Sequence, residues 1–98
     1  MADTKSFSQV AGSPFVLTAA WYKVCTTTFS TRGLRISPAA SATVFDIEWV
    51  SVRAGAAAPT DSIGEPIFGG DDFANGIPLG DIYLKSASGQ SAIVKTGA

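Results

Sequence analysis

No histidine occurs among the 98 residues, which removes the commonest general base and metal ligand. The one cysteine, Cys25, has no imidazole to take its proton, so a Cys–His nucleophile is excluded. Cys25 reads as a small buried apolar residue. Gly69-Gly70 lacks a following Lys-Ser/Thr and a following helix, so it is loop punctuation and not a phosphate cradle. No Gly-x-Ser-x-Gly elbow is present. Acidic residues offer one constellation: Asp61, Glu65, Asp71, Asp72 and Asp81, separated by glycine and proline. Oxygen-rich loops of this kind can hold Ca²⁺. Here the spacing follows no ligand rule, and Asp71 and Asp72 point opposite ways if extended. Carboxylate-pair hydrolysis would need a substrate cleft and one raised pKa, for which a domain this small offers little room. The sequence therefore predicts no catalytic residue, no metal site and no cofactor. Trp21, Tyr22, Trp49 and Tyr83 could stack on sugar rings. Both tryptophans lie in the most apolar segments and are expected in the core, while Tyr22 and Tyr83 are expected at the surface.

The elements that must position these residues read as strands. Residues 43–53, TVFDIEWVSVR, alternate with period two. Phe45, Ile47 and Trp49 share one face, Asp46 and Glu48 the other. Val50 and Val52 then fall on the charged face. Either a bulge near Val50 re-aims the chain, or that face has a second apolar contact; the second is favoured. Residues 14–29 alternate similarly; a helix through Ala19, Ala20, Trp21 and Tyr22 is the competing reading, and the β-branched tail Val24-Cys25-Thr26-Thr27-Thr28 argues for a strand. A break near Ala19-Ala20 would divide them into two strands. A shorter strand follows around Leu34 and Ile36, then a connector from Pro38. Residues 62–78 are irregular, with room for a short strand near Pro66. Residues 79–86 and 90–95 read as a hairpin, with glycine in its short loop. Its core face would carry Ile82, Leu84, Ala92 and Val94; Tyr83, Lys85, Ser91 and Ile93 would face outward. The fold class is all-β: a small antiparallel β-sandwich or barrel of six to eight short strands. Residues 1–12 form an N-terminal arm and 13–98 the sandwich. Phe45, Ile47, Trp49, Ile82, Leu84 and Val94 are expected to share one core with Trp21.

Hydrophobic residues make up 46% and charged residues 15%. The charged share is below the ~25% usual for soluble domains, which suits a chain packed against others and suits a secreted domain as well. Net charge is −1, and the scattered Lys and Arg give no nucleic-acid footprint. No apolar run approaches the ~18 residues of a membrane span. The N-terminus lacks the apolar centre of a signal peptide, and a lone cysteine fits synthesis in a reducing cytoplasm. Long uncharged stretches, 24–31 and 54–60, would let neighbours approach closely. Candidate interface residues are Phe7, Val10, Val50, Val52, Tyr22 and Tyr83, with a homo-oligomer expected.

The run AGAAAPTDSIGEPIFGG, then a polar loop, then IPLGDIYLKSASGQSAIVKTGA, resembles short virion proteins of tailed bacteriophages. The matching stretch is 54–94. It ends in a Gly-Asp/Glu-x-Tyr-hydrophobic-Lys/Arg-Ser strand, Gly80 to Ser86 here. The N-terminal third resembles the family only in its Phe-x-Leu-Thr-Ala opening, from Phe15 to Ala19. This resemblance implies a β-sandwich structural protein made in the host cytoplasm and built into the virion. Its partners would be other virion proteins, the major capsid protein foremost. A decoration or cement protein bridging capsid subunits is the leading expectation. A tail- or fibre-associated adaptor, or a receptor- or glycan-binding module, is the alternative. The family supplies no catalytic residues, and no enzyme is expected.

Overall fold

A computed structural model describes residues 7–39, 46–60, 64–66, 71–72 and 77–97. Among them, alternation produces nine strands and no helix. They are β1 (Phe7–Gln9), β2 (Phe15–Val16), β3 (Tyr22–Thr27), β4 (Gly33–Pro38), β5 (Ile47–Val52), β6 (Glu65–Pro66), β7 (Asp71–Asp72), β8 (Gly80–Ser86) and β9 (Ser91–Gly97). One sheet runs β1-β9-β4-β7, with β2 also on β9; the other runs β3-β8-β5-β6. Every pairing is antiparallel. The architecture is a small β-sandwich.

Because β4 occupies one side of β9, both β1 and β2 share the other side. They act as one interrupted edge strand. The chain leaves the ladder after Val10, whose N–H still donates to the Val94 carbonyl (2.9 Å). The Ser13 hydroxyl then accepts the Val94 N–H (3.0 Å), taking the place of a strand carbonyl. Of the segment 1–12, residues 7–9 thus pair within the chain's own sheet.

The two inner faces meet in a core. Leu34, Ile36, Ala92 and Val94 come from one sheet; Val24, Ile47, Ile82 and Leu84 come from the other, with Phe15 and Leu17 closing one side. The core face expected of residues 79–86 and 90–95 holds: Ile82, Leu84, Ala92 and Val94 are all fully buried. Their hairpin does not exist. β8 is central in one sheet, flanked by β3 and β5, and β9 is central in the other. The link from Ser86 to Ser91 is an arch between sheets, so these residues face each other across the core. Asp46 fixes the arch by accepting the Ser86 hydroxyl and the Ser88 N–H (2.7 Å). Ser86 Oγ in turn accepts the Gln90 N–H (2.9 Å). Nothing local in residues 86–90 announces a partner some 40 positions upstream.

Three further expectations change. Trp21 lies outside the core cluster. Its ring has the Lys85 ammonium 4.6 Å from its centroid, and Lys85 alternates with buried Leu84 and so faces outward. The ring tip lies against Gly64: a Cβ there would come 2.6 Å from Trp21 and 3.1 Å from Val50 Cγ1. Val50 thus lies beside Gly64 of this same chain. Trp49 is half-buried and packs against the core from its margin. Tyr83, expected outside, is only 8% exposed; it is flanked in register by Lys23 on β3 and Val50 on β5. Phe45 lies outside the described residues.

Candidate functional site

One end of the sandwich carries an open depression of about 350 Å³, lined by Thr27, Thr28, Phe29, Arg53, Ala54, Leu79 and Gly80. Three segments build it: the end of β3, the end of β5 and the start of β8. Phe29 is 95% exposed and Leu79 45%, so the apolar walls face water.

Phe29 is held out by its turn. The Thr31 N–H donates to the Thr28 carbonyl (3.0 Å), and the Thr28 N–H donates to Thr31 Oγ1 (3.0 Å). The hydroxyls of Thr28 and Ser30 hydrogen-bond each other at 2.8 Å. These Thr and Ser side chains satisfy the turn internally and leave an aromatic ring as its outward feature. Buried Thr27 joins the floor to β8: its hydroxyl accepts the Gly80 N–H (3.1 Å) and donates to the Pro78 carbonyl.

Asp81 ties the remaining wall. Its carboxylate accepts the Thr26 hydroxyl (2.7 Å) and the Gly55 N–H (3.1 Å), and Lys23 Nζ lies 3.4 Å away. One buried carboxylate thus joins β3, β8 and the turn after β5, where the Ala56 N–H donates to the Arg53 carbonyl (2.9 Å). The Thr26 and Gly55 hydrogen bonds, with Lys23 adding its charge, outweigh burial and hold the Asp81 carboxyl below its ordinary value. At Asp46, burial raises the pKa, but the hydrogen bonds from Ser86 and Ser88 outweigh it and the net shift is downward.

The sign of the pH effect follows. Both carboxylates are easier to ionise folded than unfolded, so their stabilisation is complete above the unfolded value of ~4. It is lost as pH falls through the lower folded values. The urea midpoint is expected to hold steady from pH 7 to about 5 and to drop below about 4. Asp81→Asn is expected to flatten that acid limb. A limb as steep as the wild type's in both Asp81→Asn and Asp46→Asn would show that other groups carry it.

The acidic residues do not converge. Glu65 is in β6 and Asp81 in β8, with β5 between them, while Asp71 and Asp72 belong to the other sheet. Asp61 lies outside the described residues. Among the described residues, no three His, Cys, Asp or Glu side chains come together as a metal cage. Burial first, then the Asp81 charge, push the Cys25 thiol up to about 11. It stays protonated at neutral pH and makes a poor nucleophile.

The candidate interface residues are dispersed. Val10 is half-buried against the core. Val50 and Val52 are half-buried on the outer face of β5, and Tyr83 is buried beside Val50. Tyr22 is 52% exposed at the opposite end of β3 from the depression, its ring 5.8 Å from Phe15. Phe7 sits in β1, on the Gly97 end of β9. The depression touches the uncharged stretches 24–31 and 54–60 at Thr27, Thr28, Phe29 and Ala54. Phe29 was the residue to single out: one aromatic inside a run of turn-forming Thr and Ser. No protein-family model, curated protein or solved structure matches this chain.

Proposed function

We propose that this chain is a non-catalytic structural protein of a tailed-phage virion, a decoration or cement protein that stabilises the head by bridging capsid subunits. The observation that carries the adhesive part of this reading is Phe29, almost fully exposed on a hydrogen-bonded turn beside an apolar depression. Exposed apolar patches of this kind mark interaction sites. A turn already fixed by its own hydrogen bonds loses little conformational freedom on docking. The Thr27 and Thr28 hydroxyls of the site are engaged within the chain, so the surface suits packing more than proton transfer. The phage assignment rests on the sequence resemblance over 54–94. Scarce charge and repeated copies then favour weak contacts that sum on a lattice. The glycan-binding alternative is weakened, because buried Tyr83 is not available for stacking.

The test is co-sedimentation of purified chain with purified phage heads and tails, followed by reconstruction of the loaded particle. Regular density on the shell, and lower occupancy for Phe29→Asp at unchanged melting temperature, are expected. Retention on tails alone would move the chain to the adaptor role. An intact chain that binds neither heads nor tails would overturn the virion reading.

A further inference from the structure

We propose that β3 is a self-recognition edge: two copies of this chain pair their β3 strands antiparallel about a two-fold axis, bringing Tyr22 of each copy to the depression beside Phe29 of the other. This deepens the reading above by making the Phe29 surface a contact between copies of this chain, through which Phe29→Asp would lower occupancy on heads, and it rests on that reading only in expecting more than one copy.

The backbone supplies the first argument. β3 is the outermost strand of its sheet and, among the described residues, pairs with β8 alone. Among the described residues its other side is unpaired over six residues, about 20 Å at strand rise. Such an edge is a template for another strand. The other edges described are less suited: β6 and β7 have two residues each, and the β1–β2 edge is interrupted.

The side chains supply the second. Lysines commonly guard open edges, yet Lys23, the one charge on β3, is turned onto the sheet face toward Asp81. The register shift between Lys23 and Cys25 sits at that same end. Beyond it the chain runs uncharged through Thr31, so a second copy meets no like charge along the run. The β-branched threonines there favour an extended partner.

The third argument selects the occupant. Tyr22 and Phe29, two exposed large hydrophobics, lie at opposite ends of this one edge. Parallel pairing would set Tyr22 against Tyr22. Antiparallel pairing sets the Tyr22 end of one copy against the Phe29 end of the other, twice, as an isologous two-fold contact requires. Each copy thus carries both halves of the contact. The depression of about 350 Å³ beside Phe29 has room for one aromatic side chain.

Sedimentation equilibrium of the full chain, across about 10 µM to 1 mM, reads the result. A concentration-dependent dimer is expected, with amide exchange over 22–29 slowing as dimer forms. Tyr22→Lys and Phe29→Glu are each expected to raise the dimer dissociation constant about tenfold or more while the melting curve keeps its cooperative shape. The double variant, Tyr22→Lys with Phe29→Glu, sets an introduced ammonium against an introduced carboxylate and is expected to recover dimer at low salt. A wild-type chain that stays monomeric throughout overturns the proposal. So does a dimer unaffected by either single change, or one that the double change fails to restore. So does a wild-type monomer that instead captures a strand of another virion protein along β3. No phage particle enters this experiment, so its failure and the failure of the virion reading are separate results.

Discussion

Gly80→Ala is expected to cost about 2–6 kcal/mol of stability. Gly80 opens β8 with a φ of +112°, and a Cβ there would sit 2.1 Å from the Val52 carbonyl oxygen and 3.0 Å from its carbon. Neither atom can swing away, because Val52 is in register with Asp81 in the β5–β8 ladder. The Gly80 N–H is also committed to Thr27 Oγ1 in the floor of the depression. The added methyl therefore meets two costs. Strained backbone for a residue with a Cβ is worth about 1–3 kcal/mol, and forcing atoms into filled space about 1–3 kcal/mol or more. Against a total stability of ~5–15 kcal/mol, the sum is a large share of the margin. Gly55→Ala is the control. Gly55 has a φ of +83° but no atom within 4 Å of its Cβ position, so it meets the backbone cost alone. Urea titrations of both variants separate the two terms. A Gly80→Ala midpoint no lower than that of Gly55→Ala would show that the β5–β8 contact yields.

Gly80 also shows what a one-dimensional reading reaches. Its place before an alternating run marks a strand start, and that run put Ile82 and Leu84 on the core side. Period two is a property of each strand by itself, so the face assignments of β8 and β9 survived the loss of their hairpin. Which sheet each strand joins is decided by distant residues. Asp46 draws in Ser86 and Ser88, and Thr18 offers its carbonyl to the Ser86 N–H (2.8 Å); together they turn an apparent hairpin into an arch. Trp21 went astray for a related reason. Hydrophobicity placed it inside, but the Lys85 ammonium over its ring and the bare backbone at Gly64 make an outer face that accepts an indole. The depression was legible only as two uncharged stretches. Their meeting at Leu79 depends on Asp81 and Thr27 binding three segments together, and no local pattern encodes that.

Leu84→Ala is expected to cost about 2–5 kcal/mol, and to cost more than Trp49→Ala. The opposite order would follow from side-chain size alone. Leu84 is fully buried on β8, between β3 and β5, with the facing sheet's Val94 and Ala92 in the same cluster. Strands on both sides and a sheet opposite prevent collapse, so the lost atoms leave a sealed cavity. Both the transfer and the cavity terms then apply. Trp49 is the Cα partner of Leu84 on β5, but it is half-buried and reaches the core only from its margin. Truncating it opens a groove that water can fill, which limits the cavity term. For a domain of this size, each kcal/mol corresponds to roughly 4–8 °C, so Leu84→Ala is expected to melt about 10 °C or more below the wild type. Calorimetry on both variants at one pH decides the order. A larger loss for Trp49→Ala would mean that the centre of this sandwich lies nearer the β5–β6 side, and that the indole, and not Leu84, seals it.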